Sequence, residues 1–156
     1  MKIVHLMAIG WIALASFASV GWAADTHVAV DHGDIKWGPG PDILPPGAEA
    51  AVLYGNPAKE GLFALRLRFP AGYAIAPHTH PANEVVTIIS GASKLGMGEQ
   101  ADKGSTTTLP AGSFFALPPG MAHFVYFDEP TEIQISTIGP WGLTYVNPMD
   151  DPRKTH

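Results

Sequence analysis

The chain has 156 residues, a formal net charge of −5 and no cysteine, a length that suits one compact domain and a composition that excludes disulfides, thiolate metal sites and cysteine nucleophiles. With 46% hydrophobic and only 15% charged residues, intrinsic disorder is excluded as well. Lys and Arg gather no further than the pairs Arg66/Arg68 and Arg153/Lys154, which argues against nucleic acid as a partner.

Residues 1–24 read as a secretory signal peptide. Lys2 gives a positive start, Leu6 to Val20 is almost wholly apolar, and Gly21-Trp22-Ala23-Ala24 ends in small residues suited to cleavage. The apolar stretch is shorter than the ~20 residues of a membrane span, and Asp25-Thr26-His27 follows at once. The mature chain is therefore expected to begin at Ala24 or Asp25, to be periplasmic or secreted, and to leave the membrane after cleavage. Residues 25–48, rich in Asp, Pro and Gly, read as an extended N-terminal arm with Ile35 and Trp37 as isolated anchors. Such an arm, which also carries Ile43 and Leu44, has to bury these side chains. A neighbouring subunit is one place for them, so a homodimer is expected.

From Glu49 onward short apolar runs alternate with turn residues, the rhythm of a sandwich or barrel. In Leu62 to Phe69, Phe63, Leu65, Leu67 and Phe69 share one face and Arg66 and Arg68 the other. Further strands are expected at Ala50 to Tyr54, Tyr73 to Ala76, Glu84 to Ser90, Ser93 to Met97 and Ser105 to Leu109. Ser113 to Leu117, His123 to Phe127, Thr131 to Thr137 and Gly142 to Val146 complete the set. Residues 148–156 read as a tail. No segment after the leader has helical apolar spacing over three turns, so the fold class is all-β.

Two of the chain's seven histidines, His78 and His80, are one residue apart, so on an extended segment both imidazoles project from the same face and can chelate one ion. Glu84 follows a Pro81-Ala82-Asn83 turn that can fold its carboxylate back toward the pair. His27, His32 and His156 lie in the arm or the tail and read as solvated.

Gly72, five residues, His78-Thr79-His80, three residues, Glu84, six residues and Gly91 resemble the first cupin motif without a deviation. Gly112, five residues, Pro118-Pro119-Gly120, two residues and His123 resemble the second motif through its histidine; Phe127 stands where the pattern has Asn. The resemblance covers about residues 49–147. It implies a single-domain double-stranded β-barrel of the jelly-roll kind, with His78, His80, Glu84 and His123 as ligands of one divalent metal ion. Three imidazoles and one carboxylate suit Fe, Mn, Ni, Cu, Co or Zn.

Strand parity sets Val86 and Ile88 on the Glu84 side and Val125 and Phe127 on the His123 side, giving a mostly apolar interior. One of Phe114 and Phe115 is expected to face inward, Met97 and Tyr126 to line a rim, and Gln134 and Tyr145 to serve as outer polar or proton-transfer groups. The leading functional expectation is a metal-dependent, dioxygenase-like enzyme on a small phenolic or diketone substrate, with Glu84 as its acid–base group. The alternatives are a metal-dependent lyase or isomerase, and a non-catalytic cupin that binds or senses a metabolite or metal ion.

Overall fold

The computed structural model describes residues 27–154, so the expected signal peptide and His156 lie outside the described residues. Its strands are β1 (Gly38–Pro39), β2 (Glu49–Tyr54), β3 (Gly61–Phe69), β4 (Tyr73–Thr79), β5 (Glu84–Ser90) and β6 (Ala92–Met97), followed by β7 (Thr107–Pro110), β8 (Phe114–Leu117), β9 (His123–Phe127), β10 (Thr131–Gly139) and β11 (Thr144–Tyr145). Among the described residues the helical elements are three short 3-10 turns, and no helix is long and apolar enough to cross a membrane.

The strands form two antiparallel sheets, one six-stranded in the order β1-β2-β3-β10-β5-β8 and one five-stranded in the order β11-β4-β9-β6-β7. Their facing sides carry the core, which the period-2 pattern of β3 begins. Phe63, Leu65, Leu67 and Phe69 are all buried, each contributing roughly 1.5–3 kcal/mol relative to exposure. Ile133 and Ile135 of β10, Val86 and Ile88 of β5, and Val125 and Phe127 of β9 complete that core. Phe127, at the position where the resemblance expects Asn, stacks on Phe69 with ring centroids 4.1 Å apart and planes 9° apart. The departure thus puts a stacked aromatic pair inside the barrel.

Two glycines are dictated by space. Gly91, in the turn between β5 and β6, has φ +70°, and a Cβ there would lie 2.4 Å from the Pro130 carbonyl oxygen. Gly96 of β6 lies under the ring of Phe124, where a Cβ would come within 2.1 Å of the ring.

The arm folds back on its own barrel. Ile35, Leu44 and Ala48 are buried, β1 pairs with β2, and Gly40 donates to the Ala48 carbonyl at 2.8 Å. Trp37 lies 3.8 Å under the guanidinium of Arg68. That guanidinium also contacts Glu132 at 3.0 Å, and Arg66 meets the same carboxylate at 2.7 Å. The wet side of β3 therefore holds the buried Glu132 carboxylate between two cations, and one of them clamps the arm. Two tyrosines fasten the next stretch: Tyr145 Oη donates to the Ile43 carbonyl at 2.9 Å and Tyr73 Oη to that of Pro45.

Candidate metal centre

The five-stranded sheet presents the histidines. His78 of β4 stands directly across from His123 of β9, and His80 follows just beyond the end of β4. Simple alternation from Ile75 would send His78 to the wrong side, because these residues are three apart and both face inward. A register shift between Ile75 and His78 restores the phase. Pro77, which has no N–H to give to a ladder, lies within it. β4 continues past this shift to Thr79, beyond the expected end at Ala76, and its last residues pair with β11. Glu84 arrives from the opposite sheet as the first residue of β5, after a turn whose Asn83 carbonyl accepts from Thr137 Oγ1 at 2.8 Å. The site is thus closed between the two sheets.

All four residues are buried, none more than 6% exposed. The ligating nitrogens of His78, His80 and His123 lie within 4.8 Å of one another. Each histidine is oriented by a backbone carbonyl: Nδ1 of His78 with Ala76 at 2.8 Å, of His80 with Gly142 at 2.6 Å, and of His123 with Met121 at 3.1 Å. A carbonyl can only accept, so each Nδ1 carries the proton and each Nε2 presents a lone pair inward. Metal-binding histidines are commonly held in this way, with the other ring nitrogen donating to a carbonyl or carboxylate.

The Glu84 carboxylate joins this convergence, 3.0 Å from His123 Nε2 and 3.4 Å from His80 Nε2. Yet His80 Nε2, His123 Nε2 and Glu84 Oε2 make no hydrogen bond among the described residues. Acceptors gathered this closely with no donor between them are a fit for a cation. Burial pushes the His78 imidazole down to about 2, with His123 adding to the effect. Burial also lowers His80, against the opposing pull of Glu84. Neutral imidazole is the form that binds metal.

Beside the four lies a cavity of about 20 Å³, lined by apolar side chains including Leu44, Phe115, Val125, Phe127 and Trp141. It is room for a water or two.

Other expected site residues fall as follows. Phe115 is the inward member of its pair, and Phe114 is exposed. Met97 pairs with His123 but is exposed and is not among the residues that line the cavity. Gln134 does not reach the site: Ile133 and Ile135 face the cavity, and Gln134 on the opposite side accepts from Arg66 Nε at 3.1 Å. Tyr126 likewise points outward, edge-on to Phe124 and beneath Lys103. Tyr145 packs 6.3 Å from the His78 ring, but its hydroxyl is committed to the Ile43 carbonyl and burial pushes it up to about 12. It is an anchor for the arm, and a poor proton shuttle. Leu44, Ser93 and Trp141 line the cavity without any motif signal. His27 and His32 are exposed, as expected.

A model of the family described as a domain of unknown function (DUF4437) matches residues 21–141. An RmlC-like cupin from Shewanella frigidimarina has the same fold, with 17% identity, TM-score 0.57, and coverage of 72% of this chain and 90% of that one. The chain belongs to the DUF4437 family and has the fold of that cupin. A putative acetylacetone dioxygenase from Methylibium petroleiphilum is also similar to the chain in fold, with 21% identity, TM-score 0.64, and coverage of 85% of this chain and 90% of that one. Germin-like protein 1-1 of Oryza sativa subsp. japonica is 35% identical over 65 residues, or 41% of this chain and 30% of that protein. The chain therefore matches about a third of the length of such curated relatives.

Proposed function

We propose that this cupin is an exported, metal-dependent enzyme of the dioxygenase type, acting on a small phenolic or β-diketone molecule. The observation that carries the reading is the donor set: three Nε2 lone pairs held inward by backbone carbonyls, and a carboxylate beside them with no proton donor between. His78, His80, Glu84 and His123 would hold one divalent transition-metal ion, which when bound supplies Lewis-acid or dioxygen-binding chemistry. The chain's own residues do the rest. The carbonyls of Ala76, Met121 and Gly142 keep the imidazoles in one tautomer. Leu44, Val125, Phe127 and their neighbours exclude water, which strengthens every charge interaction inside. Glu84, the one carboxylate lining the cavity among the described residues, accepts a proton from the hydroxyl or enol of the substrate. The fold shared with a putative acetylacetone dioxygenase supports the choice of a diketone class.

A second reading has one observation in its favour. The cavity of about 20 Å³ admits no organic molecule while its walls stay as they are, which suits a protein that binds the ion without turnover. Metal analysis of protein purified without a polyhistidine tag, followed by oxygen-uptake assays with catechols, flavonols and β-diketones, separates the readings. Stoichiometric metal with oxygen uptake is expected. Conversion without oxygen uptake indicates a lyase or isomerase, metal without conversion indicates the binder, and no metal at all overturns both readings.

A further inference from the structure

Two apolar spaces meet at one side chain. The inner one is the cavity of about 20 Å³ at the histidines. The outer one is a vestibule of about 300 Å³ between the arm and the β2–β3 edge, lined by Pro39, Pro41, Ile43, Val52 and Leu65 among others. That size is the lower end for small-molecule sites. Of the described residues lining these two spaces, Trp141 alone belongs to both.

Trp141 is placed as a movable partition. Its ring stacks on His80, with centroids 5.0 Å apart and planes 18° apart. Its backbone is held on both sides: Trp141 N donates to the Pro57 carbonyl at 2.7 Å, and the Gly142 carbonyl accepts from His80 Nδ1 at 2.6 Å. The hydrogen bond that orients His80 runs to the Gly142 backbone and not to the indole, so it does not depend on the position of the ring. Its indole Nε1–H is buried and has no hydrogen-bond partner among the described residues. A buried donor left unpaired is costly, and either a swing toward solvent or an acceptor oxygen brought by a ligand relieves that cost.

We infer that Trp141 is the gate and a specificity-determining side chain of this site. With the ring down on His80 the cavity admits water-sized molecules only. With the ring turned out, cavity and vestibule join into a passage for a planar organic molecule, whose oxygen accepts from Nε1–H as its other oxygens approach the four donors. This inference rests on the metal-site reading above and adds to it the route and the selection.

The test uses cobalt-loaded wild type, Trp141→Phe and Trp141→Ala, with azide and 4-methylcatechol as probes followed by stopped-flow absorption. Azide is expected to associate at rates within about threefold in all three forms. The catechol is expected to associate about tenfold faster in Trp141→Ala, since removing the ring removes a conformational step. Trp141→Phe, which keeps a ring on His80 but loses the donor, is expected to release the catechol about fivefold to tenfold faster. Equal catechol kinetics across forms with full cobalt overturn the gate and leave the metal site standing. Should Trp141→Ala lose cobalt, Trp141→Phe decides alone, and catechol release at the wild-type rate overturns the proposal. A wild type that takes up no cobalt overturns the metal reading and the gate with it.

Discussion

His78, His80, Glu84 and His123 are four buried polar residues whose polarity is useful only if something positive lies between them. Changing any one to Ala removes a donor and leaves incomplete geometry, so each variant is expected to lose most of its bound metal in elemental analysis. His27→Ala and His32→Ala, both exposed, are expected to keep it. Retained metal in His78→Ala and His123→Ala would refute the assignment. Glu84→Gln keeps the shape and removes the proton acceptor, so with metal restored its turnover is expected to fall by about 10²- to 10⁴-fold. A pH effect follows from burial alone. His78 is pushed down to about 2 from an ordinary value of 6.5, so the unfolded chain binds the proton more readily. The corresponding stability is fully present above pH 6.5 and is lost progressively as pH falls toward 2. Melting curves of metal-free protein should therefore show Tm dropping below about pH 6.5, and a Tm that stays level from pH 8 to pH 5 would contradict the burial argument. The convergence of these four residues was legible in the sequence because their spacing is fixed by the turn and strand lengths that bring them together. Gln134 and Tyr126 were assignable to the outer faces on the same parity, since inward Ile133/Ile135 and Val125/Phe127 leave them no other side. Trp141 was not legible: a single tryptophan in a Gly-Pro-Trp-Gly loop carries no periodicity.

At the level of elements, alternation and turn chemistry locate the strands, and β5 and β9 have the expected bounds. Long-range pairing sets what alternation leaves open. β10 runs on to Gly139 because β3 pairs with it residue for residue from Phe69 back to Gly61. Only Thr144–Tyr145 of the final expected strand pairs, against the end of β4. The register shift that turns His78 inward depends on where β9 lies, information no local window contains. Close contacts between elements are also set in space. Gly96→Ala would drive a methyl into the Phe124 ring, and overpacking of this kind costs about 1–3 kcal/mol. Denaturant unfolding should show that loss, while Gly104→Ala, in an exposed 3-10 turn, should cost less.

At the scale of the whole molecule, the question is what the arm contributes to the barrel. Ile35 and Leu44 are buried against the chain's own sheets, so the need that suggested a neighbouring subunit is met within one chain. A dimer would instead have to use surface that remains exposed, such as Leu62 and Ile138, which pair across β3 and β10; sedimentation at micromolar concentration tests it. The arm also bears on export. His27 to Asp34 are all exposed, and the first buried side chain is Ile35. Among the described residues the barrel therefore takes no buried side chain from anything before Ile35, and an exposed stretch separates the proposed cleavage point from the fold. Cleavage after Ala23 or Ala24 would remove Lys2 and the apolar Leu6 to Val20 stretch while leaving the Trp37–Arg68 clamp and the Tyr145–Ile43 bond in place. Intact-mass measurement of protein expressed with its own leader is expected to give a chain beginning at Ala24 or Asp25, recovered outside the cytoplasm. A chain engineered to start at Asp25 is expected to melt at the same temperature. Mature protein that retains Trp11 and Trp22 would show that the leader stays attached, and a lower Tm in the shortened chain would show that the barrel leans on residues before the arm.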